Sequence, residues 1–153
     1  LHRLAFVLIC FILGLGLTVN LLNIDRFIVQ QNVTRMIHGV EVGAESVLDT
    51  GYLFSLSDDA IPKMVEYFTD AATPEGVRHE IGGVLACESY KSNATQKKGW
   101  PSYHVSQSRR NTLLESLSRE LASYPVTEDR YTLYVEVNGK VKTCDGYRYD
   151  PID

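Results

Sequence analysis

Apolar and polar positions are distributed unevenly along this chain. Leu4–Leu22 is a run of 19 residues without a charge, and 13 of them are Leu, Ile, Val or Phe. At about 1.5 Å per residue, a helix of that length covers roughly 28 Å, close to the hydrocarbon thickness of a bilayer. Each of the 13 favours insertion by about 0.3–0.6 kcal/mol, several kcal/mol in total. Asn20 opposes this, but it lies near one end, within reach of headgroups and water. Gly14, Gly16 and Thr18 suit a membrane helix packed closely on a neighbour, although the spacing is not Gly-x-x-x-Gly. A cleaved signal peptide would end in a small-x-small site, which the exit TVNLLNIDR lacks. A buried core helix would carry a polar face, and this run has none. The pattern predicts a transmembrane helix over 1–23. Because the chain begins at Leu1 rather than Met, it is expected to be a piece of something longer.

Beyond the run the pattern becomes amphipathic. Ile24, Phe27, Ile28, Val33, Met36 and Ile37 recur at mostly helical spacing, with Asp25 in the first turn. A helix over Asp25–His38, closed by Gly39, follows as a juxtamembrane element at 24–40. It either continues the membrane helix with a bend or lies along the bilayer surface. Glu45–Ser55 is weakly helical, with Gly51 in its middle. In SLSDDAIPKMVEYF, Ser57 or Asp58 caps a helix, the acidic pair favours its positive end, and Pro62 is tolerated in the first turn or so. Ile61, Val65 and Phe68 are its inward positions. A further helix is predicted over Pro74–Tyr90, weakened by Gly82-Gly83. Lys91–His104 reads as a loop. Ser108–Ser123 has the clearest stripe (Leu113, Leu114, Leu117, Leu121), and Pro125 stops it.

The last part alternates as strands do. YTLYVEV and KVKTC flank Asn138-Gly139, a strong hairpin signal. A two-residue loop sets Val137 against Lys140. A three-residue loop sets Val137 against Val141 and Glu136 against Lys142, which matches apolar with apolar and acid with base and is the preferred register. The predicted fold class is therefore mainly α, namely one transmembrane helix and a small helical domain (41–153) ending in a β-hairpin at about 130–145, an α+β arrangement.

Composition refines this picture in three places. The net charge of −4 argues against a dedicated nucleic-acid binder. From Ser89 to Arg110, however, five residues are basic (Lys91, Lys97, Lys98, Arg109, Arg110) and none is acidic. With Trp100 and Tyr103 interleaved, this stretch is a candidate contact for lipid headgroups or an anionic envelope component. The plainer reading, which the sequence favours, is a solvated loop with Trp100 tucked into the core. Of the three cysteines, Cys10 lies in the apolar run. Cys87 and Cys144 suggest a disulfide in an extracytoplasmic domain, or two unrelated thiols in a cytoplasmic one. The positive-inside rule hardly discriminates, since His2 and Arg3 precede the run and Arg26 and Arg35 follow it.

Catalytic constellations are not assembled by spacing. His79 and Cys87 are eight residues apart on one predicted helix, about 12 Å along its axis, too far for a nucleophile and its base. Asp58-Asp59 is read as a cap rather than a metal or acid–base pair. No metal-ligand pattern, phosphate loop or nucleophile elbow occurs, so neither a cofactor nor a catalytic residue is assigned.

Three strings resemble a known family. LLNIDRFIVQQNVTR after an apolar run, LDTGYLFSLSDDAIPKMVEY, and WPSYHVSQSRRN (Trp100–Asn111) are similar to segments of a bacterial multi-pass membrane protein family of unknown function, the 4153/4173 group. The resemblance extends from Leu4 to about Asn111 and omits the hairpin and Cys144. It implies several membrane helices before Leu1 and an extracytoplasmic tail, with no activity or ligand. The function expected is a membrane-anchored extracytoplasmic binding or structural module of the bacterial cell envelope. Its partners would be the lipid bilayer, other membrane helices of the full-length protein and an anionic envelope component. The alternative is an accessory part of a membrane enzyme or transporter whose active helices lie upstream.

Overall fold

The computed structural model describes residues 2–21, 24–41, 50–95, 105–130 and 132–144. In chain order the helices are α1 (His2–Leu21), α2 (Ile24–Glu41), α3 (Thr50–Leu53), α4 (Ile61–Thr69), α5 (Glu75–Thr95), α6 (Val105–Ser116) and α7 (Ser118–Leu121), with a 3-10 turn at Asp58–Ala60 before α4. Strands β1 (Val126–Asp129), β2 (Thr132–Val137) and β3 (Lys140–Thr143) form an antiparallel sheet in the order β1-β2-β3. The fold is mainly helical with a C-terminal sheet.

Helix α5 is the axis of the domain. Its residues 81–87 are all buried, the sign of a helix enclosed on every side rather than half-sunk in a surface. Val29 and Val33 of α2, Ile61 and Met64 of α4, Leu114 and Leu121 of the α6–α7 pair, and Val135 and Val137 of β2 complete one continuous core around it. Within α5, Gly82 and Gly83 mark the closest approaches. A Cβ at Gly82 would lie 2.5 Å from the Tyr124 ring, and one at Gly83 would lie 2.5 Å from Val137 Cγ2. The glycine pair read from the sequence as a weakness is where the sheet and the α7–β1 turn press onto the helix.

Several expected boundaries move, each for a tertiary reason. Helix α2 runs through Gly39, which is buried, so packing outweighs the low helix propensity of glycine. Of Glu45–Ser55, the short α3 is described and 45–49 lie outside the described residues. Val65 and Phe68 are only partly buried, and Ile61 and Met64 carry the inward face of α4. Helix α5 continues past Tyr90 to Thr95, one turn into the expected loop, because Lys91 and Ser92 find partners on other elements. The stripe at Ser108–Ser123 breaks at Leu117 (φ −101°, ψ 7°), whose N–H bonds Leu114 C=O three residues back. That tightening keeps Leu114, Leu117 and Leu121 all buried.

The sheet holds two corrections. Strand β1, VTED, is an edge strand with three of its four residues exposed, held by backbone pairing, so no hydrophobic alternation announces it. The β2–β3 register is Val137↔Lys140, Val135↔Lys142 and Glu136↔Val141, the two-residue loop and not the preferred three-residue one. Asn138 (φ 52°) and Gly139 (φ 73°) both take positive φ, as a two-residue type I′ turn demands. A one-residue slip reverses every side chain of a strand. In the observed register Cys144 and Lys142 share the face of Val135 and Val137 toward α5; in the longer loop they would point away. Val141 is accordingly left 68% exposed.

Helix α1 stands apart from this core. Leu4, Phe6, Phe11, Leu13 and Leu17 are each more than half exposed. Among the described residues no helix is long and apolar enough to cross a membrane.

Candidate functional site

The best-connected polar cluster lies where α2 begins. Asp25, in the first turn of α2, accepts hydrogen bonds at Oδ2 from the Ser57 backbone N–H (3.1 Å) and from the Ser57 hydroxyl. Ser57 is also the N-cap of the 3-10 turn, its Oγ accepting from Asp59 N–H at 3.4 Å. The next residue, Asp58, accepts from Arg110 Nη1 of α6 at 2.6 Å. Arg110 Nε donates to Asn111 Oδ1 at 3.2 Å, and that same oxygen accepts from the Ser92 hydroxyl of α5 at 2.6 Å. One chain of contacts thus joins α2, the 3-10 turn, α6 and α5. Each carboxylate in it receives donors, so it locks elements together and leaves no spare pair for acid–base chemistry. The Asp58–Arg110 pair is largely buried, where removing one partner of a charge pair is costly. Arg26–Glu66 (3.6 Å) beside it is exposed and contributes little.

A cleft of about 200 Å³ opens on the far side of Asn111, lined by Ser89, Ser92, Asn93, Asn111, Glu115 and Ser118, with Leu114. Its lining donates and accepts hydrogen bonds but includes no nucleophile paired with a base. A second cluster sits at the other end of α5. His79 Nδ1 is 2.9 Å from the Tyr124 hydroxyl, and His79 Nε2 is 3.4 Å from Glu75 Oε1. Burial raises the Tyr124 hydroxyl above the ordinary tyrosine value of 10.0, and nearby Arg78 partly offsets it. The Tyr124 ring packs directly against Gly82. Its role is to pin the α7–β1 turn to the central helix.

Cys87 of α5 and Cys144 after β3 form a disulfide with Cα atoms 5.7 Å apart. Both are fully buried, and a bonded sulfur is not a nucleophile. Cys10, on α1, is a free exposed thiol.

The basic stretch resolves into separate parts. Lys91 is in α5, where its ammonium bonds Glu88 Oε1 (3.2 Å) and the Cys144 carbonyl (3.1 Å) and lies 5.6 Å from the Phe54 ring centroid. Arg110 is taken up by Asp58. Arg109 is exposed on α6. Lys97, Lys98, Trp100 and Tyr103 lie outside the described residues. Among the described residues no group of three or more His, Cys, Asp or Glu is placed to hold a metal ion. Sequence reasoning missed Asp25, Asn111 and Ser92 as members of one cluster. The signals were present singly (an acidic first turn, a Ser-Asp-Asp cap, an Arg-Arg-Asn run), but nothing along the chain says that they meet.

Comparison with known proteins adds one match. Neither the curated proteins nor the solved structures searched contain a match to this chain. The match extends from α1 into α4, taking in Asp25, Ser57 and Asp58 but not Arg110, Asn111 or the disulfide. Residues 2–67 match the family model described as a domain of unknown function, DUF4153.

Proposed function

We propose that this chain is a membrane-anchored extracytoplasmic module, a non-enzymatic binding or structural part of an integral membrane protein of the bacterial cell envelope. The observation that carries the reading is α1, whose large apolar side chains stand exposed from Leu4 to Leu17. It ends two residues before a helix clamped to the folded domain through Asp25. In water such a surface favours aggregation, and in a bilayer its exposure is what insertion requires. The buried Cys87–Cys144 disulfide supports an oxidising compartment for the domain. Lys97, Lys98, Trp100, Tyr103 and Arg109 are the proposed contacts to anionic headgroups or an envelope polymer.

Resistance to alkaline carbonate extraction, with release by detergent, is the expected behaviour of membranes carrying the chain; a carbonate-soluble product would sink the reading. Protease added outside intact spheroplasts should digest the domain, and full protection would reverse the orientation. For the basic stretch, Lys97/Lys98→Glu should abolish enhanced binding to anionic over neutral vesicles. The second reading is an accessory part of a membrane enzyme or transporter with its active helices upstream. It draws on Gly14 and Gly16, small residues that let a sister helix approach closely.

A further inference from the structure

Outside α1, the large apolar side chains standing exposed among the described residues are Ile24 (52%), Phe27 (60%), Tyr90 (37%) and Val141 (68%). Tyr90 and Val141 are isolated, and the Tyr90 hydroxyl is occupied by Glu128. Ile24 and Phe27 are one helical turn apart on the same side of α2, opposite Val29 and Val33, which are fully buried. The two charges of that turn are both partnered, Asp25 by Ser57 and Arg26 by Glu66. Further along, the outward side of α2 is polar: Gln31, Thr34, Arg35 and His38 are all exposed. The apolar patch is therefore confined to the turn that follows α1.

From this we infer that Ile24 and Phe27 form a wedge seated in the lipid–water interface, with α2 rising off the bilayer from its first turn. The inference rests on the reading of α1 as an anchor. What covers the patch is argued from continuity, since α1 ends at Leu21 and α2 begins at Ile24, so Ile24 and Phe27 are the first exposed apolar side chains described beyond α1 and lie next to any bilayer that holds it. The patch spans about 4.5 Å of helix axis, so the wedge reaches no further than one helical turn. A second copy of the chain or a partner protein would call for an apolar face continuing along α2, where Gln31 and Thr34 stand instead. Because Asp25 ties this turn to Ser57, the wedge sets the height and tilt of the whole domain above the membrane, with the Asp25–Ser57–Asp58–Arg110 cluster at the boundary.

The test uses the full chain in phosphatidylcholine vesicles. A Trp100→Phe background removes the single native tryptophan, and one probe is added, Phe27→Trp or Thr34→Trp, both at exposed positions that tolerate substitution. With lipid brominated on the acyl chains near the headgroup, the Phe27→Trp probe should lose most of its emission, and the Thr34→Trp probe should keep it. Flotation of the vesicles checks the anchor separately. A chain that does not float overturns the anchor reading itself. Flotation without quenching at either position overturns the wedge alone. Quenching at both positions overturns the upright seating and puts α2 flat on the bilayer. A blue-shifted but unquenched Phe27→Trp emission assigns the patch to protein instead of lipid and equally overturns the inference.

Discussion

Replacing Gly82 or Gly83 by alanine tests the packing of the domain, because helix propensity and tertiary contact predict opposite signs. In a helix interior, glycine is about 1 kcal/mol less favourable than alanine, so either change should stabilise if α5 were limited by its own backbone. The structure adds a larger opposing cost. A methyl at Gly82 would meet Tyr124 Cζ at 2.5 Å, with Cε2 and the hydroxyl at 2.7 Å, and a methyl at Gly83 would meet Val137 Cγ2 at 2.5 Å. Neither neighbour yields easily. The Tyr124 ring is held by His79 and Phe68, and Val137 is β-branched, 2% exposed and on the central strand. Overpacking a core typically costs about 1–3 kcal/mol, so the net expectation is about 0–2 kcal/mol of destabilisation at each site. Gly76 is the internal control, on the same helix with nothing within 4 Å of its added methyl; Gly76→Ala should stabilise by about 0.5–1 kcal/mol. Urea unfolding of the full chain in detergent, followed by near-ultraviolet circular dichroism, reads the three variants. Gly83→Ala combined with Val137→Ala should destabilise less than the sum of the two, because the second change removes the methyl that the first one meets. Stabilisation by Gly82→Ala and Gly83→Ala matching that of Gly76→Ala would refute the close-packing argument.

Three further outcomes follow from the same structure. Arg110→Ala leaves Asp58 largely buried without its cation and should cost about 3 kcal/mol; Arg110→Lys should recover only part of this because it loses the Nε–H bond to Asn111, as urea midpoints would record. Reducing Cys87–Cys144, which closes an interval of 57 residues, should cost about 4 kcal/mol on chain-entropy grounds, visible as a thermal midpoint lowered equally by dithiothreitol and by Cys144→Ser. Tyr124 has a raised folded-state value, so its contribution to stability is fully present below the ordinary value of 10.0 and is lost as pH rises through the raised one. Unfolding midpoints should therefore fall more steeply above about pH 10 in the parent chain than in Tyr124→Phe, and parallel curves would exclude Tyr124 as the cause.

Much of the local structure was legible along the chain. Ser57 capping ahead of Pro62, the leucine stripe of α6 and α7, and the Asn-Gly hairpin all rest on neighbours within a few residues; the apolar face expected for α2 did not hold at its start, where Ile24 and Phe27 stand exposed opposite the buried Val29 and Val33. The candidate site was legible only in fragments. Asp25, Ser57, Asp58 and Arg110 each occur in a recognisable local context, but Asp25 and Ser57 are 32 residues apart and Asp58 and Arg110 are 52 apart. Lys91 read as a free cation because its partners, the Cys144 carbonyl and the Phe54 ring, come from distant segments.

The sequence by itself determined where the chain is apolar without interruption, roughly where the longer helices lie, and where the last two strands turn back, because periodicity, caps and turn residues act over one or two turns. Tertiary structure alone decided the rest. The hairpin register was settled by which face must meet α5, not by which cross-strand pairs look complementary. Strand β1 exists because β2 offers it a ladder. Gly82-Gly83, a weak point by propensity, became a place of close approach by Tyr124 and Val137, because a helix enclosed on every side needs somewhere for its neighbours to approach. Pairing and enclosure depend on surfaces brought together from distant parts of the chain, and hydrophobic spacing reports burial without naming the partner.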